Sequence, residues 1–358
     1  MKVLFVGNPS EKLTDGGSTT FQKSIAPKLA ALPDCDYWVP RDPYGRELEH
    51  ITQTRAIDLI WFLSPYYEAV PVPFVTTVWD LGHRVLPEFP EVSTAPGAWT
   101  FQAREQYYRH VLPQAARVCC ARHLHPILTQ AYGLQPERLR DLPLCVDLEA
   151  LQATPQTVSE PLPHHLTTGE YLLYPANFWP HKNHVTLLDM LKILRLRRYP
   201  LDLVFTGADK GNRAYVEEYA ARAGVADQVI FAGFVAPAVL HQLYRHAFAL
   251  VYASLLGPDN LPPLEAMALG CPVICSEYLG AEQQLGEAVL YFDPLNAQDA
   301  ARAVVHFMDR PNLRAAKVVR GLERVREHTP QHYVTRVQQV LADVARSRRL
   351  WGTGYRHL

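Results

Sequence analysis

Short apolar runs recur along the chain, with helical segments between them. The runs are KVLFVG (2–7), DLIWFLS (58–64), FVTTVWD (74–80), ARVCCA (116–121), EYLLYPA (170–176), LDLVFTG (201–207), QVIFAG (228–233), ALVYAS (249–254), CPVICS (271–276) and AVLYF (288–292). They are nearly continuous rather than alternating, as expected of strands covered on both faces. The segments between them, such as AYVEEYAARAG (214–224) and PAVLHQLYRHA (237–247), are amphipathic. Strand–helix alternation of this kind predicts parallel sheets flanked by helices.

The pattern runs twice, once before about residue 150 and once after about residue 168. Between the two copies, ATPQTVSEPLPHHLTTGE (153–170) is rich in Pro, Thr and Ser and has no period, which marks a linker. Thr329 followed by Pro330 reads as an N-cap and first-turn proline, and the helix they open carries Tyr333, Val334, Val337, Val340, Leu341 and Val344 on one face. The predicted fold class is therefore α/β, with two doubly wound Rossmann-like domains. The domains are expected at 1–152 and 169–328, joined by a linker at 153–168, with a terminal helix and tail at 329–358. A length of 358 residues agrees, since single cores stop growing at roughly 250–300 residues.

Composition narrows the function classes. Lys and Arg total 35 against 36 Asp and Glu, so no nucleic-acid partner is expected. Two local basic stretches stand out, KILRLRRYP (192–200) and the tail from Gln331, with Arg336, Arg346, Arg348, Arg349 and Arg356. Either can meet anionic lipid headgroups at a peripheral membrane contact, or simply end a solvated helix. The six cysteines lack paired metal-site spacing and sit mostly in apolar runs, which suits a reducing, cytoplasmic setting. The opening apolar run is too short for a signal core, and no stretch reaches the ~18 apolar residues of a membrane span. The expected location is the cytoplasm, extending to the inner face of the membrane.

In doubly wound sheets, ligands bind beyond the carboxyl ends of the strands, so the loops there are the places to look for chemistry. After the first strand, GNPSEKLTDGGSTTFQKS places Gly16 and Gly17 before a helical run, where bare backbone can approach an anion. VWDLGHRVLPEFPEV concentrates Asp80, His83, Arg84 and Glu88, a density of titratable groups that marks a candidate site or a surface ion cluster. YPANFWPHKNHVTLL puts Lys182 at a helix start, suited to clamping a diphosphate or to lying on the surface. SLLGPDNLPPLEAMALG carries Glu265 near the start of another helix. A carboxylate there can accept both hydroxyls of a ribose while neighbouring N–H groups hold phosphate, or it can merely complement the helix dipole.

Taken in this order and spacing, the four loops resemble retaining glycosyltransferases of the GT-B architecture, of the family 4 type. The resemblance covers almost the whole chain, is strongest from Glu170 to Pro294, and is most specific in LPPLEAMALGCPVI (261–274). It implies two domains facing a cleft, with the terminal helix crossing back to the first. It also implies that Glu265 binds the ribose of a nucleotide sugar and Lys182 the diphosphate, which Gly16 and Gly17 approach from the other side. Gly233 and Phe234 would lie beside the base, and the amides of Asn260 and Leu261 near the phosphates or sugar. His83 or Asp80 would face the acceptor. No metal site or further cofactor is implied.

Three positions depart from the pattern. Asn177 stands where the family often has Arg, Gly257 where it often has Glu, and Trp79 where it commonly has His. Without that Arg, Lys182 and helix N–H groups carry more of the leaving-group charge, with Arg84 or Lys210 as further cations. Without that Glu, Asp259 or Asn260 would read the sugar. The loop GPDNLPP looks like a variant found in bacterial surface-polysaccharide transferases. The implied reaction is hexosyl transfer with retention, from a UDP- or GDP-type donor to a glycan, lipid-linked or small-molecule acceptor. Two other readings stay open: a nucleotide-sugar epimerase or phosphorylase, and a non-catalytic glycosyltransferase-shaped partner protein.

Overall fold

A computed structural model describes residues 1–8, 17–40, 47–93, 100–153, 166–257 and 259–350. Gly16 and Arg356 lie outside these residues, and Gly17 opens a helix, Gly17–Ala30. In the first half the strands are β1 (Val3–Val6), β2 (Cys35–Trp38), β3 (Leu59–Phe62), β4 (Phe74–Thr77), β5 (Arg117–Cys120) and β6 (Leu139–Asp141). In the second half they are β7 (Tyr171–Pro175), β8 (Asp202–Thr206), β9 (Val229–Gly233), β10 (Ala249–Tyr252), β11 (Val273–Ser276) and β12 (Leu290–Phe292). Every pairing is parallel, in the orders β2-β1-β3-β4-β5-β6 and β12-β11-β10-β7-β8-β9.

Most central strands are buried along their whole length, which is why they read as apolar runs. β1, β3, β7 and β10 show no exposed or half-exposed residue. The second sheet reverses its winding between β7 and β10. The loops after those two strands therefore splay apart at their carboxyl ends, leaving the crevice where doubly wound folds receive ligands.

The chain forms two compact units. One comprises Met1–Pro87, Ala95–Cys145 and Thr329–Leu358; the other comprises Glu88–Thr94 and Val146–His328. The terminal helix, Pro330–Arg348, returns to the first unit after the second is complete. There Asp343 accepts from Arg117 Nε at 2.8 Å and also pairs with Arg140, while Arg336 reaches Asp141 at 2.9 Å and Tyr333 meets Phe21 edge to face. Three arginines of the basic tail are thus spent on carboxylates of the first unit: Arg336 on Asp141, Arg346 on Asp343 and Arg348 on Asp58. Among the described residues no helix is long and apolar enough to cross a membrane. None of the six cysteines forms a disulfide.

Candidate functional site at the switch point of the second sheet

The loop after β7 is tied down before it reaches Lys182. Asn177 Oδ1 accepts from the Ala208 amide at 2.8 Å, and the Phe178 amide donates to Ala208 O at 3.0 Å. Gly207 makes this approach possible, because a Cβ there would lie 2.3 Å from Ala176 O. Asn177 therefore joins two loops through its carboxamide oxygen.

A short turn, Pro180–Lys182, follows. Asn183 then enters the left-handed region at φ 56° to launch the helix His184–Leu196, and its carboxamide donates to Pro294 O at 2.7 Å. The turn is also held from the side. Glu91, in the segment that joins the second unit, accepts from the His181 amide at 3.2 Å and touches the His181 ring at 2.5 Å. Burial raises the Glu91 carboxyl pKa, but the hydrogen bonds from His181 outweigh it and the net shift is downward.

Lys182 projects back across the end of the sheet. Its Nζ donates to Tyr252 Oη at 3.1 Å, Ser254 Oγ at 3.2 Å and Asn260 Oδ1 at 3.3 Å. Tyr252 and Ser254 alternate along the end of β10 and its extension, so they present the same face. These three acceptors are neutral. They orient the ammonium.

Asn260 precedes the helix Leu261–Ala268 at the N-cap position, yet its side chain caps nothing. An N-cap oxygen normally accepts from the second or third amide of the helix. Here those residues are Pro262 and Pro263, which have no N–H. The same prolines leave the amides of Asn260 and Leu261 as the two N–H groups at the opening of this helix. An anion at this end meets only that pair.

One turn further on, Glu265 is partly buried, and its Oε2 accepts from Tyr244 Oη at 2.9 Å. Burial raises the Glu265 pKa, and the tyrosine bond opposes that rise. Oε1 makes no hydrogen bond, so it is available as an acceptor. Gly233 ends β9 at φ 66°, where a Cβ would meet Arg213 Nη1 at 3.8 Å, and the next residue, Phe234, is 53% exposed. Asp259 lies half-buried between Gly257 and Asn260 in the loop before the helix.

In the first unit, the expected acceptor-side residues form a connected ion cluster at the carboxyl end of β4. Asp80 Oδ1 accepts from the Gly82 amide at 2.7 Å and from Arg104 at 2.5 Å. Burial works against its ionisation, but the Arg104 charge prevails and the pKa falls. His83 presents nothing to solvent; its Nε2 lies 3.0 Å from Glu105 Oε1 and its buried Nδ1 has no partner. Burial, then the Arg104 charge, lowers the His83 pKa to about 4, so the ring is neutral at physiological pH and donates from Nε2.

Arg84 forks onto both oxygens of Glu105, each at 2.6 Å, and is engaged inside the first unit rather than held out as a cation. Tyr132 and Arg109 complete the shell of Glu105 at 2.7 and 3.0 Å. Sequence reasoning does not find Glu105, Arg104, Tyr244, Tyr252 or Ser254, because each sits in an ordinary helical or strand pattern. The one usable signal is position, since Tyr252 and Ser254 lie at the carboxyl end of the strand beside the switch point.

Residues 163–321 match the family described as glycosyl transferases group 1. O-antigen chain mannosyltransferase B of Escherichia coli is 28% identical over 189 residues, covering 51% of this chain and 49% of that protein. Mannosylfructose-phosphate synthase of Agrobacterium fabrum is 24% identical over 251 residues, covering 65% and 55%. The chain thus spans about half the length of the curated relatives it matches.

Among solved structures, sucrose-phosphate synthase from Thermosynechococcus elongatus superposes with a TM-score of 0.73 at 18% identity, covering 97% of this chain and 99% of that one. HepE of Anabaena, in complex with UDP and glucose, gives 0.68 at 15% identity, covering 96% and 99%. WaaG, a glycosyltransferase involved in lipopolysaccharide biosynthesis, gives 0.68 at 15% identity, covering 92% and 98%. At these identities the structural likeness is one of fold, and the fold is the two-domain GT-B arrangement of Rossmann-like sheets.

Proposed function

We propose that this chain, with its glycosyl transferases group 1 domain, moves a hexosyl group from a nucleoside-diphosphate sugar to an acceptor hydroxyl, with retention at the anomeric carbon. The observation that carries the reading is the grouping of Lys182, the Asn260 and Leu261 amides and Glu265 at one switch point. An oriented cation and two free-facing amides suit a diphosphate, and a carboxylate one helical turn away suits a ribose.

In this reading Glu265 takes the ribose hydroxyls, Gly233 and Phe234 flank the base, and Lys182 stabilises the departing diphosphate. The acceptor oxygen bonds to the anomeric carbon on the face from which the C–O bond to phosphate breaks. The acceptor's proton passes to a diphosphate oxygen. Fixed cations and amides aimed at the developing charge supply the main rate term.

Asp80 orients acceptor hydroxyls, and neutral His83 acts as a positioning residue behind it. The names of the curated relatives favour a mannosyl donor of GDP or UDP type and a glycan or lipid-linked glycan acceptor. The site works in the cytoplasm or at the inner membrane face, and its reaction draws on Lys182 and amides in place of a metal.

The test is calorimetric titration of UDP, GDP and their mannosyl and glucosyl derivatives into wild type, Lys182→Ala and Glu265→Ala. A charged hydrogen bond is worth roughly 1.5–3 kcal/mol, so each variant should lose about 10- to 100-fold in affinity for the preferred nucleotide. Undiminished affinity in both variants would overturn the assignment.

A further inference from the structure

The carboxamide of Asn260 is fully used, and none of its bonds serves the helix it precedes. Oδ1 accepts from Tyr252 Oη at 2.8 Å and from Lys182 Nζ at 3.3 Å; Nδ2 donates to Gly257 O at 3.1 Å and to Leu256 O at 3.4 Å. Two donors face one end and two acceptors the other, so the network fixes which way round the amide lies. The backbone beneath it is fixed too: Gln284 donates to Asn260 O at 2.9 Å, and Tyr278 donates to Gln284 Oε1 at 2.8 Å, all within buried surroundings.

The folded-back carboxamide occupies the space above Gly257. A Cβ at that position would lie 2.2 Å from both Oδ1 and Nδ2 of Asn260, and the backbone there has φ 141°, which other residues adopt only with strain. Gly257 and the orientation of Asn260 therefore depend on each other. Pro262 and Pro263 complete the set, because removing both amides that an N-cap would bond frees the carboxamide to turn toward Lys182.

We propose that Asn260 is the positioning residue for Lys182, with Gly257 supplying the room and Pro262–Pro263 the release from capping. The carboxamide braces the ammonium between two strand ends before any ligand arrives, so that the cation enters the complex already placed. The proposal rests on the nucleotide-sugar reading for its purpose. It does not need that reading for its geometry.

Two measurements on the full chain decide it. The first is the acetylation rate of Lys182 in the ligand-free protein, read by mass spectrometry against Lys192 as internal reference. Asn260→Ala should speed Lys182 several-fold and leave Lys192 unchanged. Asn260→Asp, nearly isosteric, should slow it by pairing a carboxylate with the ammonium. Rates equal to wild type in both variants would overturn the proposal.

The second is a double-mutant cycle on the affinity for GDP or UDP. Asn260→Ala should cost about fivefold when Lys182 is present and nothing further in a Lys182→Met background, because the two act as one. An equal loss in both backgrounds would mean that Asn260 acts on its own and would overturn the proposal. If wild type binds neither nucleotide, the functional reading fails, and the acetylation rates still decide this one.

Discussion

Glu105→Gln is the sharpest probe of the first unit's ion cluster, because it removes a charge and almost no volume. The carboxylate receives Arg84 on both oxygens, Tyr132 and Arg109, and it faces the Nε2 of His83. Burial raises its pKa, yet the hydrogen bonds from Arg84, Tyr132 and His83 prevail and hold it at about 2 against an ordinary 4.5. At roughly 1.4 kcal/mol for each pH unit, that difference makes the ionised form worth about 3 kcal/mol to the folded state at neutral pH.

A depressed carboxyl stabilises the fold above its unfolded pKa and loses that contribution as pH falls through the folded value. The window is therefore from 4.5 down to about 2. Urea unfolding followed by a signal from the first unit should find Glu105→Gln about 3 kcal/mol less stable at pH 7. By pH 3.5 the gap should narrow to about 2 kcal/mol, as the carboxyl of the unfolded wild-type chain takes up a proton. A variant as stable as wild type at pH 7, or a gap that does not change with pH, would refute the reasoning.

Tyr244→Phe removes the one hydroxyl that favours the ionised form of Glu265, so the Glu265 pKa should rise further. Nucleotide affinity measured across pH should lose its acid limb at a higher pH than wild type, with a loss of roughly 1 kcal/mol near neutrality. Asn177→Arg adds a cation beside the turn that carries Lys182, but it leaves the Ala208 amide without its 2.8 Å acceptor. Thermal unfolding should show a loss of about 1–3 kcal/mol, and calorimetry no gain in nucleotide affinity.

The apolar runs correspond to ten of the twelve strands. The other two, β2 (CDYW) and β6 (LRD), lie at opposite edges of the first sheet, where half-exposed backbone tolerates charged residues and no continuous run is needed. The terminal helix was legible from its one-faced stripe and the Thr329–Pro330 start, and Thr329 does cap it by accepting from the His332 amide. Lys182 and Glu265 stand out in sequence through the family resemblance and their place after apolar strands, since a charged side chain at a helix start can equally lie on the surface or complement the helix dipole.

Their supports could not be found in the same way. Tyr252 reads as one more strand aromatic, and Asn260 reads as an N-cap until the two prolines are seen to remove what it would cap. Arg84 looks like a spare cation in sequence, and only the fold brings Glu105, from a helix about twenty residues further on, onto it. Glu91 holds the turn before Lys182 from ninety residues away, a pairing that no local pattern records.

The return of the last helix to the first unit sets an order of events during synthesis. All six strands of the first sheet have been made by Asp141, but Tyr333, which packs on Phe21, and Asp343, which joins Arg117 to Arg140, come only after the whole of Val146–His328. At ribosomal rates of roughly 5–20 residues per second, those roughly 180 residues impose a wait of about 10–40 s. During that interval the first sheet carries an open apolar flank and two unmatched arginines. The second unit can finish folding first although its sequence begins later, and a nascent chain stalled before residue 330 would be the form most exposed to chaperones and proteases.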